Sequence, residues 1–368
     1  MSIHRRRMPL MALTLVALVV GVWGGLVRLG WGLPVARPAW PAFHGPLMVG
    51  GFLGTLISLE RAVALDVPGY LLVPAVSGLG ALALVAGAHG PALWLLTAGS
   101  VGLVLLSAAI VRRQTAPFTL LMALGAVAWT VGNGLWMVGA PVSSAVLWWS
   151  GFLVLTIAGE RLELNRVLRP PPRVWQAFWV AVGLYVLGLG GTLWHPAVGV
   201  RLAGTGLVAL AIWFGRYDIA RYTVRQRGLP RFIALCLLAG YVWLGVAGVI
   251  GMATRPMAGP LYDAMLHALF LGFVFSMIFG HAPLVFPGVT GVPLAYSSAF
   301  YGHLGLLHAS LLMRVVGDVS GLITWRQAGG LLNALAILLF LANTGRAAFI
   351  ARRTTPLRPG GRGAAGPA

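Results

Sequence analysis

The chain lacks lysine entirely, has one cysteine among its 368 residues, and carries only seven carboxylate side chains. The lone cysteine, Cys236, lies inside an apolar run, which excludes intramolecular disulfides and thiolate metal clusters. No C-x-x-C-H motif occurs, so covalent c-type haem attachment is excluded as well. With no lysine, all 26 basic residues are arginine, which reads as genome composition rather than mechanism. Charged residues make up only 9% of the chain against 59% hydrophobic, and the mean hydropathy is +0.88. That balance excludes an ordinary soluble domain. Apolar runs near the length of a bilayer crossing recur throughout, and they are continuous rather than alternating, so a β-barrel is excluded too.

What is present is an all-α, polytopic membrane pattern. Twelve spans are expected, at about 8–27, 43–60, 70–88, 92–111, 117–138, 144–160, 174–193, 197–215, 231–252, 263–281, 295–314 and 327–345. Together they make one transmembrane domain over 1–351, followed by a Pro/Gly/Arg-rich tail over 352–368 that reads as disordered. The first run lacks a small-residue cleavage site and is read as a retained helix. An even number of spans puts both termini on one side. Arg5, Arg6, Arg7, Arg112, Arg113, Arg161, Arg166, Arg169, Arg173, Arg216, Arg221, Arg225, Arg227, Arg231, Arg346, Arg352, Arg353, Arg358 and Arg362 all fall on that side. The positive-inside rule makes it cytoplasmic, in a bacterial-type inner membrane. The formal charge of +19 is thus a topology signal directed at the lipid bilayer, and no nucleic-acid partner is expected.

Three segments resemble one another: "GFLGTLISLER" from 51, "GFLVLTIAGER" from 151 and "GFVFSMIFGHA" from 272. Nine residues after each glycine stand Glu60, Glu160 and His281, and Arg61 and Arg161 follow the two glutamates. The segments occupy the second, sixth and tenth spans. This spacing implies three successive four-helix units, roughly 8–111, 117–215 and 231–345. The Glu-Arg pairs fit helix-end ion pairs, or a cytoplasmic proton path or gate.

The histidines sort by depth. His4 belongs to the basic N-terminal stretch, and His89 and His195 to short outer turns. His44 and His267 lie near the outer ends of spans two and ten, seven and five residues before their Gly-Phe pairs. His308 lies in the outer third of span eleven and His303 near its middle. Two imidazoles from neighbouring helices can ligate a haem iron, and nearby glycines leave room for a flat macrocycle. Each histidine can equally be an isolated interior hydrogen-bonding residue. His267 and His281 are separated by roughly 21 Å along a helix and cannot share a metal. His308 could join the outer site as third ligand or distal residue. His303, His308 or His281 could hold a second metal such as copper, although a structural role suits His303 as well. The outer arginines Arg28, Arg37, Arg255, Arg314 and Arg326 break the charge bias. They are expected either to snorkel or to bind haem propionates, with Arg314 and Arg37 as the candidate partners.

The stretch "HALFLGFVFSMIFGHAPLVFPGVTG", continued by "FYGHLGLLHASLLMRV", is similar to the corresponding region of the NnrS family. The matching positions are His267, Ala268, Leu269, Gly272, Met277, Met313, Arg314 and Val315, with "FHGPLM" around His44 a looser match. The resemblance covers about a fifth of the chain. It implies a twelve-helix membrane protein containing haem and copper and linked to nitric oxide. Three four-helix arcs with histidines on helices two and ten also resemble subunit I of haem-copper oxidases and nitric oxide reductases. That likeness makes His44 and His267 the axial ligands of a b-type haem. Span six has no histidine and no His-His pair exists, so a standard oxygen-reducing binuclear centre is not expected. The leading expectation is a haem-b membrane protein acting in nitric oxide handling or electron transfer to a redox partner. As an enzyme it would be a haem-dependent oxidoreductase acting on a diatomic gas. The alternative is a proton-coupled transporter without a cofactor, using Glu60 and Glu160.

Overall fold

The computed structural model describes residues 3–254 and 258–354. Arg255 and the segment 355–368, with Arg358 and Arg362, lie outside the described residues. Every regular element among the described residues is helical. We number the long helices α1 (Ile3–Arg28), α2 (His44–Leu65), α3 (Pro68–Val85), α4 (His89–Arg113), α5 (Pro117–Met137) and α6 (Val142–Leu168). They continue as α7 (Pro172–Gly191), α8 (Pro196–Tyr217), α9 (Leu229–Ala253), α10 (Pro260–Thr290), α11 (Phe300–Ser320) and α12 (Ile323–Thr354). Proline opens α3, α5, α7, α8 and α10, where its missing N–H costs nothing. Left-handed residues close α2 (Asp66), α10 (Gly291) and α11 (Gly321).

Eleven of these helices are long and apolar enough to cross a membrane. The twelfth, α11, is 21 residues long, and its apolar character is diluted by His303, His308, Arg314 and Asp318. The expected span 295–314 is therefore displaced, because the chain stays irregular until Phe300. The tenth span runs on to Thr290 through Pro283 and Pro287, which neighbouring helices can accommodate at membrane depth. The last helix continues to Thr354, so Arg352 and Arg353 belong to its final turn rather than to an irregular tail.

The three most buried spans are α6 (78%) and α2 and α10 (61% each), which places them at the centre of the bundle. They touch one another there, while sequential neighbours such as α3/α4, α8/α9 and α11/α12 pack side by side around them. These central helices are the ones marked by the Gly-Phe pairs. A Cβ at Gly51 would come within 2.9 Å of Ala17 and Ala81, at Gly151 within 2.6 Å of Leu189, and at Gly272 within 2.4 Å of Trp243. Each of these glycines thus marks a close approach that a larger residue would block. Both α2 and α10 also widen into π-helix, over Leu47–Gly54 and Ala268–Phe275, immediately after their histidine-bearing first turns. Such wide turns are frequent at functional sites.

Candidate functional site: two cavities on one axis

One cavity of about 410 Å³ lies at the end of the bundle where α2 and α10 begin, walled by α1, α2, α6, α10, α11 and α12. His44 and His267 both line it. Their rings are nearly parallel, 12° apart, with centroids separated by 6.4 Å. His44 Nδ1 donates to the Gly21 carbonyl at 2.6 Å, and His267 Nδ1 donates to the Asp263 carbonyl at 2.8 Å. A carbonyl can only accept, so each neutral ring carries its proton on Nδ1 and keeps a lone pair on Nε2. This second-partner arrangement is the usual one for metal-ligating histidines. Two imidazoles sharing one metal through nitrogen bonds of about 2 Å would put their centroids roughly 6 Å apart. The pair therefore fits bis-imidazole ligation in its spacing and its uncommitted Nε2 atoms. Glycine is required beside it, because a Cβ on Gly25 would sit 2.8 Å from His44 Cε1 and Nδ1.

Around the rings lies a charge network in which Asp263 is central. Its carboxylate pairs with Arg314 at 2.9 Å and Arg326 at 3.4 Å, and lies 3.4 Å from His267 Nδ1. Arg326 also pairs with Asp318 at 2.8 Å. Arg314 is buried and already committed to carboxylates of the protein, and Arg37 sits on an exposed loop away from the cavity walls. Arg28 lines the cavity mouth and makes no ion pair among the described residues. Arg28 therefore stands at the cavity with its guanidinium open to an added carboxylate. Sequence reasoning passed over Asp263, although it stands one helical turn before His267, a spacing that puts both on one face. Tyr262 adds a tie to α6, its hydroxyl donating to the Ser143 carbonyl.

The other expected ligands do not converge on this cavity. His308 accepts a hydrogen bond from Trp243 Nε1 at 2.9 Å through Nδ1, so its proton stays on a buried Nε2 that has no partner. Asn343 lies 3.2 Å from His303 Nδ1, and the His303 ring is enclosed by Phe279, Phe340 and Phe300 at 4.7, 5.4 and 5.6 Å between centroids. His281 lies nearer the opposite end of α10, with Nδ1 donating to Met277 O at 2.8 Å. No group of three or more His, Cys, Asp or Glu side chains suited to a metal ion occurs among the described residues. His303, His308 and His281, each expected as a possible ligand of a second metal, occupy separate environments.

A second cavity, of about 350 Å³, lies nearer the other end of the same central helices and is lined by Glu60, Glu160 and His281. The three positions singled out by sequence similarity thus face one space. The two Glu-Arg pairs do not close on themselves. Arg61 pairs across to Glu160, and Arg161 grips Asp218 with two hydrogen bonds of 2.8 Å, helped by Asn165 at 3.2 Å. Arg161 is thus an anchor to the α8–α9 connection, and among the described residues Glu60 makes no hydrogen bond or ion pair. Phe52 and Phe275, both in the π segments, stack at 6.1 Å between the two cavities, and Leu53 lines both.

Comparison with known proteins gives two findings. The chain is 30% identical over 139 residues to the MFS-type transporter tndD of Aspergillus flavipes, an alignment covering 36% of this chain and 22% of that protein. The chain therefore spans about a fifth of the length of that relative. A family model described as a domain of unknown function, DUF8744, matches residues 7–348. The protein, a polytopic helical membrane protein, belongs to the DUF8744 family.

Proposed function

We propose that the protein holds a b-type haem between His44 and His267 and serves membrane electron transfer. The observation that carries this reading is the parallel imidazole pair in the histidine-end cavity, with both Nδ1 atoms tied to carbonyls and both Nε2 atoms uncommitted. The likeness of 267–291 to the NnrS family supports it. Such a group supplies one-electron chemistry at its iron. In this role His44 and His267 are the ligands, and Arg314 and Asp263 are positioning residues that fix the His267 turn. Arg28, at the cavity mouth, would be placed to pair with a propionate. No third histidine lines the cavity, so electron transfer is favoured over binding of a diatomic gas such as nitric oxide. Three four-helix units, with the histidine end outside and both termini cytoplasmic in a bacterial-type inner membrane, complete the proposal.

The test is a reduced-minus-oxidised optical spectrum with metal content, on wild type, His44→Ala and His267→Ala, alongside thermal unfolding of each. A b-type spectrum lost in both folded variants is expected. A colourless wild type that takes up no added haem overturns the reading.

A second reading, a proton-coupled transporter, draws on two cavities stacked on one axis with a Phe52–Phe275 partition between them. The partial similarity to an MFS-type transporter lends it some weight. Under that reading Glu60 carries the proton.

A further inference from the structure

We infer that the Glu60-end cavity is a binding site for a neutral, hydroxyl-bearing ring amphiphile of the hydroquinone class, taken directly from the bilayer. Its mouth lies between α1 and α12, where Leu15 (41% exposed) and the exposed Gly345 belong to the lining. Both are apolar and flank the cavity within membrane-spanning helices, so the opening faces lipid. A ligand entering there must be soluble in the hydrocarbon.

The interior selects further. Phe52, Phe286 and Phe340 contribute flat aromatic surface to a volume of about 350 Å³, a size within the range of small-molecule sites. At the polar end, His281 and Glu60 can each accept a hydrogen bond from a ligand, while the neighbouring Glu160 is engaged by Arg61. His281 donates Nδ1–H to Met277 O, which leaves Nε2 as an acceptor. The Glu60 carboxyl makes no hydrogen bond or ion pair among the described residues. Two acceptors suit the two hydroxyl donors of a hydroquinone. A phospholipid head group is a poor match, because no arginine among the described residues lines the cavity and the nearby Arg61 is already paired with Glu160. An anionic phosphate would meet Glu60 and Glu160 without a cation to receive it.

This inference rests on neither reading of the histidine-end cavity. Its test is equilibrium binding of radiolabelled decylubiquinol to the full-length protein in phosphatidylcholine nanodiscs, under reducing conditions and corrected for partition into empty discs. Saturable binding near one per chain is expected. The dimethyl ether of the same compound, equal in shape but without donors, should bind at least tenfold more weakly, a comparison that needs no variant. Glu60→Leu and His281→Leu should each weaken binding about tenfold, and Gly345→Trp at the mouth should abolish it. A wild-type protein that takes up no haem yet still binds the probe defeats the haem proposal and keeps this one. Binding no greater than partition, equal binding of the ether, or equally potent displacement by phosphatidylglycerol would each overturn the inference.

Discussion

Removing the Asp218 carboxylate strips both hydrogen bonds from Arg161 at once and leaves a guanidinium only 3% exposed with no counter-charge. Breaking a buried pair in this way costs about 3–5 kcal/mol. Asp218→Ala should therefore lower the unfolding temperature in detergent markedly. Glu163→Ala, at a pair whose side chains are 55% and 41% exposed, should change it by less than about 1 kcal/mol. Equal shifts for the two variants would show that burial does not set the cost. A second residue-scale expectation concerns Gly25. Even the single methyl of Gly25→Ala must displace the His44 ring and its bond to Gly21. Under the haem proposal, haem retained per polypeptide after detergent washing should fall several-fold at nearly unchanged thermal stability, and Gly32→Ala, where a Cβ meets nothing, should retain the wild-type amount. At this scale the sequence made His44 and His267 legible through their repeat positions. It concealed Asp263, because partner choice among carboxylates and arginines depends on side-chain packing that spacing does not encode. For the same reason Arg314, matched from sequence to a propionate, is committed to Asp263.

Among the helices, the π segments of α2 and α10 set the phase between each histidine and the residues farther along the same helix. An extra residue in a turn shifts everything beyond it by about 100° around the axis. Deleting Gly50 should convert Leu47–Gly54 to α-helix and rotate His44 out of register with the Glu60 half of α2. Cysteines at 44 and 267 in a Cys236→Ser background should cross-link through a short bis-thiol reagent such as dibromobimane, because the native rings are 6.4 Å apart. The added Gly50 deletion should abolish that cross-link. Persistence of the product would mean that the wide turns do not aim the histidines. Periodicity could not reveal these segments, since every residue in them except Met48 and Phe270 is buried and an apolar run has no polar face to register phase. The same blindness misplaced the boundaries of α10 and α11: the expected span 263–281 stops short of Pro283 and Pro287, which sit within the continuous helix.

For the molecule as a whole, the ends differ in charge. Arg7 reaches the Gly288 carbonyl and Arg113 the Leu65 carbonyl, both at the Glu60 end, where Arg225, Arg346 and Arg352 also lie. The histidine end has Arg28, Arg37, Arg201, Arg314 and Arg326, two of them neutralised by Asp263 and Asp318. Positive segments resist translocation, so the Glu60 end should face the cytoplasm and the histidine cavity the opposite side. Single cysteines test this cleanly because Cys236 is buried. In intact cells a membrane-impermeant maleimide should label Gly90→Cys and Trp194→Cys, both exposed in histidine-end turns. Thr115→Cys and Arg225→Cys, exposed at the Glu60 end, should react only after permeabilisation. The inverse pattern would turn the histidine cavity toward the cytoplasm, and its electron partner would then have to be cytoplasmic. Labelling of both sets in intact cells would mean that the two ends do not lie on opposite faces, and would remove the two-sided arrangement on which the transporter reading depends.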